Sequence, residues 1–267
     1  MNTNVRIALL FLLSGFFNND CRDGFERIDE STEVIPGTDR VVAFFDDFDQ
    51  ADGIPDKTKW ILCPRMEGDP WGNFFSMSYD QAYVKDGMLI LKAEKVGDVY
   101  KAGGVWSQHL FNFTYGKVEV RAKLKTAQGG LPAIWLLASS GIPIDGEIDM
   151  MEQYNNDATI HHTVHSYYTN KLGYKTDPVR HFIVPYNVGK FNVYAVDWAP
   201  DKIAFSVNGR ATLTYPNLYM EKEVVMRQWP FKRPFFIILN YALSMNASIN
   251  DSQLPAIMEV DWVKVSK

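Results

Sequence analysis

The sequence predicts an all-β fold, an antiparallel sandwich or barrel, and three observations carry that prediction. Ten short runs rich in β-branched and aromatic residues follow one another from Val41 to the C-terminus. Gly, Pro, Asn and Asp punctuate them at spacings that suit turns rather than crossover helices. Amphipathic helical patterning is scarce, and no segment repeats at a fixed period.

In chain order the predicted strands are VVAFFDDF, MLILKAEK, GKVEVRAKLK, PAIWLLAS, GEIDMMEQY, TIHHTVHSYY, FNVYAVDWAP, KIAFSVNGR, PFFIILNYAL and MEVDWVKV. The third alternates cleanly, with Val118, Val120 and Ala122 on one face and Glu119, Arg121 and Lys123 on the other. Asn208-Gly209 is a hairpin signal, because both residues tolerate the positive φ of a type I′ turn. Asn217–Gln228 reads as a short helical turn or a strand.

The 267 residues are 46% hydrophobic and 14% aromatic, enough for one sizeable core. With 27 basic and 32 acidic residues the net charge is −5, which argues against nucleic acid as a partner, since phosphates call for a basic patch. Residues 1–20 have the layout of a secretory signal peptide: Arg6, then an apolar run from Ile7 to Phe17, then polar residues. Cys21 after that run raises an alternative, an outer-surface lipoprotein. Residues 21–40 read as a linker or first loop, and 41–267 as one domain of a secreted or periplasmic protein, expected to be a monomer. No later stretch is long and apolar enough to span a bilayer. Two cysteines, Cys21 and Cys63, give no disulfide framework.

The run GEIDMMEQ sets three carboxylates, Glu147, Asp149 and Glu152, among apolar residues. In a strand Glu147 and Asp149 share a face and Glu152 should point away. One extra residue, a β-bulge at Met150-Met151, would return Glu152 to their face. Three carboxylates on one face repel, so at least one must keep its proton near neutral pH. A protonated carboxylic acid beside an ionised carboxylate is the equipment of glycoside hydrolysis. Solvated edge acids or a calcium site are the competing readings.

GEIDMMEQ resembles the bulged E-x-D-x-x-E signature of glycoside hydrolase family 16. The similarity extends from about Val41 to Lys267 through GGVWSQHLFNFTYGKVEVRAKL, LPAIWLLAS, FNVYAVDWAPDKIAFSVNGR and WPFKRPFFIILN. The resemblance implies a β-jelly-roll sandwich of two antiparallel sheets with a concave substrate cleft, and retaining endo-hydrolysis of a β-linked polysaccharide. It implies Glu147 as nucleophile, Glu152 as acid/base and Asp149 as the assisting residue between them. No cofactor is required. The resemblance also implies a structural calcium far from the acids in many members; Asp261 on the last strand is a candidate ligand, with no sufficient ligand cluster around it in the sequence.

Aromatic rings stack on the apolar faces of sugars, and Trp60, Trp71, Trp106, Trp135 and Trp229 are candidates for the cleft, against core packing. Trp135 matches a family tryptophan beneath the cleaved sugar, whereas Trp198 and Trp262 look like core. His161, Thr163 and His165 share a strand face. His161 and His165, about 13 Å apart on an extended strand, are too distant for one zinc ion, so His165 is expected to orient Asp149 or bind sugar. Asn240 is expected to face the cleft. YALSMNASIND replaces the glycine-rich, tryptophan-bearing loop usual in β-1,3-glucanases, and the similarity leans to red-algal galactan hydrolases, porphyran before agarose. Arg65 is the candidate for porphyran's sulfate and Arg227 a weaker one. An endo-β-1,3-glucanase (laminarinase) is the alternative, and a non-catalytic carbohydrate-binding jelly roll a third.

Overall fold

The computed structural model describes residues 40–267. The signal peptide, nearly all of the linker and Cys21 lie outside the described residues. Among the described residues there are fifteen strands: β1 (Val42–Asp46), β2 (Ile61–Leu62), β3 (Ala82–Lys85), β4 (Met88–Val96), β5 (Val99–Trp106), β6 (Gly116–Lys125), β7 (Gly130–Ala138) and β8 (Glu147–Glu152). Then come β9 (Thr159–His165), β10 (His181–Pro185), β11 (Asn192–Trp198), β12 (Lys202–Val207), β13 (Arg210–Pro216), β14 (Phe235–Leu243) and β15 (Ala256–Ser266). Two single-turn α-helices lie among them in the described residues, α1 (Tyr167–Asn170) and α2 (Glu223–Met226), the latter within the ambiguous 217–228 stretch.

All strand pairs are antiparallel, in the order β10-β9-β8-β7-β14-β5-β4-β15-β6-β11-β12-β13. The ribbon folds over on itself at β5, whose first half pairs with β4 and whose second half pairs with β14. The result is the expected β-jelly-roll. Inner-face residues Ile134, Leu136, Ile148, Ile237 and Leu239 pack against Leu89, Val118, Val120, Val196 and Val260 in one core. A second, smaller apolar cluster lies on the open face of β14, β7 and β5, built on Phe236, Ile238, Leu131 and Leu137. The Asn208-Gly209 hairpin joins β12 to β13, with both residues at positive φ.

Two tryptophans expected in the cleft belong to the main core. Trp60 is 1% exposed, packs on Phe44 and Phe48, and donates its indole N–H to Asp46. Trp229 is 3% exposed and stacked on Tyr215. In both cases buried aromatic neighbours recruit the ring. Trp198 is core, as expected. Trp262 is not: Val260 and Val263 both point inward around a bulge at Asp261, which turns Trp262 outward beside Lys264. Asp261 itself is ion-paired with Arg121. Cys63 is a free, buried thiol.

The bulge in β8 is present. Asp149 pairs with Thr163 and Glu152 with His161, so three steps on β8 match two on β9. Met150 and Met151 both turn into the core and are fully buried. Buried His162 spans the irregularity: its Nδ1–H donates to the Met150 carbonyl at 2.7 Å, and its Nε2 accepts from the Thr212 hydroxyl at 3.0 Å. Only the neutral ring can do both. Burial pushes its pKa down to about 4, well below the ordinary 6.5.

His162→Phe keeps a ring against Phe205 but leaves the carbonyl and the hydroxyl unpaired. The expected cost is about 1–3 kcal/mol, read from a denaturation midpoint. Because the folded pKa is depressed, this contribution is complete above pH 6.5 and is lost as pH falls from there toward 4. The stability–pH curve of the variant should be flatter over that window; identical slopes would show that His162 does not brace the bulge.

Candidate active site

Strand register places the open-face residues in three rows across the sheet. The middle row runs Trp106, Ile238, Trp135, Asp149, Thr163, His181 from β5 to β10. One flanking row carries Phe236, Leu137, Glu147 and His165. The other carries Gly104, Asn240, Ala133, Glu152, His161 and Ile183. Glu147 and Glu152 thus stand on either side of the middle row, with Asp149 on it. Neighbouring strands are about 4.8 Å apart, so Trp135 lies one spacing from the acidic strand and Trp106 three.

His165 Nε2 sits 3.0 Å from Asp149 Oδ2 and 3.6 Å from Glu147 Oε1, and its Nδ1 faces the Asn170 side-chain oxygen at 3.0 Å. Burial alone would lower its pKa; the Asp149 carboxylate, with Glu147 behind it, outweighs burial and pushes it up to about 10. The direction of that shift favours an imidazolium at neutral pH, although the Arg180 guanidinium lies 3.3 Å from Nδ1. Burial, then the Asp149 charge, raises both Glu147 and Glu152 well above the usual carboxylate range. These acids titrate as a coupled set. Glu152 is held by two hydroxyls, Tyr154 Oη–H to Oε1 at 2.9 Å and Thr163 Oγ1–H to Oε2 at 3.3 Å.

Glu147, Asp149 and His165 also present ligand atoms within 4.8 Å of one another. A protonated imidazole offers N–H rather than a lone pair, so this arrangement suits an internal ion pair better than a cation. No zinc geometry joins His161 to His165; His161 instead pairs with His181, Nδ1 to Nε2 at 2.9 Å.

The other sequence candidates divide. Trp135 is half-buried on the groove floor and donates its indole N–H to Asn240 at 2.7 Å. Asn240 is 3% exposed, so it holds that tryptophan rather than presenting its amide to solvent. Trp71 is half-buried and meets Tyr154 edge-on at 5.9 Å. Its loop is tied by Asp69, which accepts from the Trp71 and Gly72 backbone N–H groups. Arg65, in the same loop, is exposed and makes no hydrogen bond or ion pair among the described residues. Arg227 is ion-paired with Asp145 and lies over Tyr167, a structural use of its charge. Trp60 and Trp229 take no part, being core. Sequence reading missed Tyr154, Thr163 as a partner of Glu152, and His181. A strand count cannot find them, because register across β8, β9 and β10 assembles them.

Carboxylates facing one another across an aromatic-floored groove on a β-jelly-roll define the class of glycoside hydrolases. The family model for glycosyl hydrolases family 16 matches residues 72–264, and the chain belongs to that family. It is 37% identical over 248 residues to the keratan-sulfate endo-1,4-beta-galactosidase of Sphingobacterium multivorum, covering 88% of this chain and 57% of that protein's length. It is 32% identical over 241 residues to the beta-glucanase of Rhodothermus marinus, covering 82% of each. Among solved structures, one from work on endo-acting O-glycanases of the human gut microbiota that initiate mucin breakdown superposes with a TM-score of 0.75. It has 34% identity and covers 84% of this chain and 98% of that one.

The ion pair gives a direct test. In wild-type protein the His165 ring should still carry both N–H protons at pH 8, read from its ¹⁵N shifts. Asp149→Asn removes the carboxylate that raises its pKa, so the ring should then titrate at markedly lower pH. A wild-type His165 titrating near 6.5 would refute the ion pair.

Proposed function

We propose that the chain is a retaining endo-β-galactosidase acting on a sulfated, galactose-containing polysaccharide. The observation that carries the catalytic part is the bulge, which returns Glu152 to the face of Glu147 and Asp149. A glycan lying along the middle row would have one glutamate on each side of its scissile bond. Glu147 attacks the anomeric carbon while Glu152 protonates the departing oxygen. Glu152 then takes a proton from the water that releases the sugar from Glu147. The imidazolium of His165, 3.6 Å from Glu147, favours the ionised nucleophile. Asp149 holds that imidazolium and sets the charge between the glutamates. An intact acid trio, braced as it is, has no purpose in a module that only binds sugar.

Similarity to a keratan-sulfate galactosidase and to a gut O-glycanase supports β-galactosidic bonds in keratan-sulfate- or mucin-type glycans as the first choice. Porphyran and agarose, also galactose polymers, come next. The second reading, a β-1,3-glucanase, is favoured by similarity to the Rhodothermus enzyme. Such polymers are met outside the cytoplasm, which agrees with the export signal expected of residues 1–20.

Reducing-sugar release from keratan sulfate, mucin O-glycans, porphyran, agarose and laminarin, measured in parallel, decides the substrate. Cleavage of a galactose polymer with retained anomeric configuration is expected, and cleavage of laminarin alone would establish the glucanase. Glu147→Gln should abolish turnover. Glu152→Gln should nearly do so, with azide restoring turnover of an activated aryl glycoside.

Arg65 tests the sulfate. Arg65→Ala and Arg65→Lys should each lower cleavage of the sulfated polymer at least about tenfold, because a paired guanidinium–sulfate contact of about 1.5–3 kcal/mol is lost. A desulfated polymer should change much less; equal loss on both would assign Arg65 a structural part.

A further inference from the structure

Tyr154 lies two residues beyond Glu152, outside β8, and the molecule fixes it from several directions. The turn that carries it is pinned from within. Gln153 is fully buried, its backbone N–H donates to Pro132, and its side-chain amide donates to the carbonyls of Tyr154 and Asp157. The next residue, Asn155, stands at φ 56° and accepts from Gly129 N–H and the Gln128 side chain. The Tyr154 ring is gripped between Trp71, edge-on at 5.9 Å, and His161 at 4.8 Å, and His161 is itself held by His181. So much bracing of one exposed turn serves the one polar atom the ring presents, the phenol that reaches Glu152 Oε1.

The two oxygens of Glu152 are thereby made unequal. Oε1 points toward Tyr154, whose ring leans on Trp71, and receives the shorter hydrogen bond, 2.9 Å. Oε2 points toward Thr163, on the middle row, and receives a longer one, 3.3 Å. A carboxyl oxygen that already accepts a firm phenol bond is the carbonyl-like one, and the proton resides on the other. We propose that Tyr154 is a positioning residue that fixes the Glu152 carboxyl so that its transferable proton sits on Oε2, facing the groove floor. The proposal rests on the reading of Glu152 as the acid/base. The other charged groups that bear on this carboxyl are Asp149, which opposes its ionisation, and His165, which favours it, while His161 lies beside it across the β8–β9 register.

The experiment compares wild type with Tyr154→Phe, which keeps the ring and its packing. Site-assigned ¹³C-carboxyl NMR of Glu152 reads its titration without any substrate. A lost donor to the ionised carboxylate should raise its apparent pKa by about one unit, and the alkaline limb of the pH profile of kcat/KM should move up equally. On polymer, kcat should fall about tenfold with KM little changed. On a dinitrophenyl β-galactoside, whose leaving group needs no proton, the loss should be under about twofold. In a folded variant, an unchanged carboxyl titration, or equal losses on polymer and aryl glycoside, overturns the proposal. Should wild type cleave no glycan at all, the functional reading fails, while the two NMR titrations still decide whether Tyr154 governs Glu152.

Discussion

A strand repeats every two residues and this site needs a step of three, and the molecule resolves that mismatch with one extra methionine. Everything on the open face follows from it. Without the bulge Glu152 would point into the core among Ile148, Ile134 and Ile237, where an unpaired carboxylate is intolerable. With it, both methionines bury and both glutamates emerge. The cost is an irregular ladder, and His162 supplies the donor that the Met150 carbonyl takes. A buried histidine kept neutral by its surroundings is thus part of the frame, although it faces away from the groove.

The same crowding fixes the electrostatics. Two unit charges 4 Å apart repel by about 4 kcal/mol at an effective dielectric near 20, or about three pK units. Three ionised carboxylates side by side are therefore excluded at neutral pH, and the structure meets the constraint in two ways. A cation, His165, balances Asp149 and Glu147. On the far side of the middle row Glu152 takes hydrogen bonds from two hydroxyls, and the His165 charge also favours its ionised form. Glu147 has the imidazolium 3.6 Å away and Glu152 has two hydroxyl donors, so two identical side chains sit in unlike surroundings.

Local pattern made much of this legible. The alternation of β6, the NG hairpin and the two-then-three spacing of acids are all properties of neighbours in sequence, and each is present as read. β5 escaped because Gly103 and Gly104 interrupt its apolar pattern. Gly103 has no room for a side chain, as a Cβ would lie 1.8 Å from the Gln81 carbonyl oxygen. β10 escaped because it is an exposed edge strand with one buried residue. The tryptophans show the limit most clearly. Nothing around Trp60 or Trp229 in the sequence distinguishes a ring that will meet Phe44 or Tyr215 from one that will meet a sugar. That distinction is made by distant strands, as is the meeting of Tyr154, Thr163 and Glu152.

The middle row has a consequence for how such a molecule measures its ligand. Because the middle row runs from strand to strand along the hydrogen-bonding direction, positions along it are spaced by the distance between strands, the same increment throughout the sheet. The sheet is a ruler whose divisions are strands, with the acids fixed at the β8 mark and tryptophans at the β7 and β5 marks. Lengthening or shortening the grip on a polymer then requires only a change at the ends of the ruler, at short β2 or exposed β10. The chemistry in the middle is insulated from such changes, so reach and reaction can vary separately on one frame.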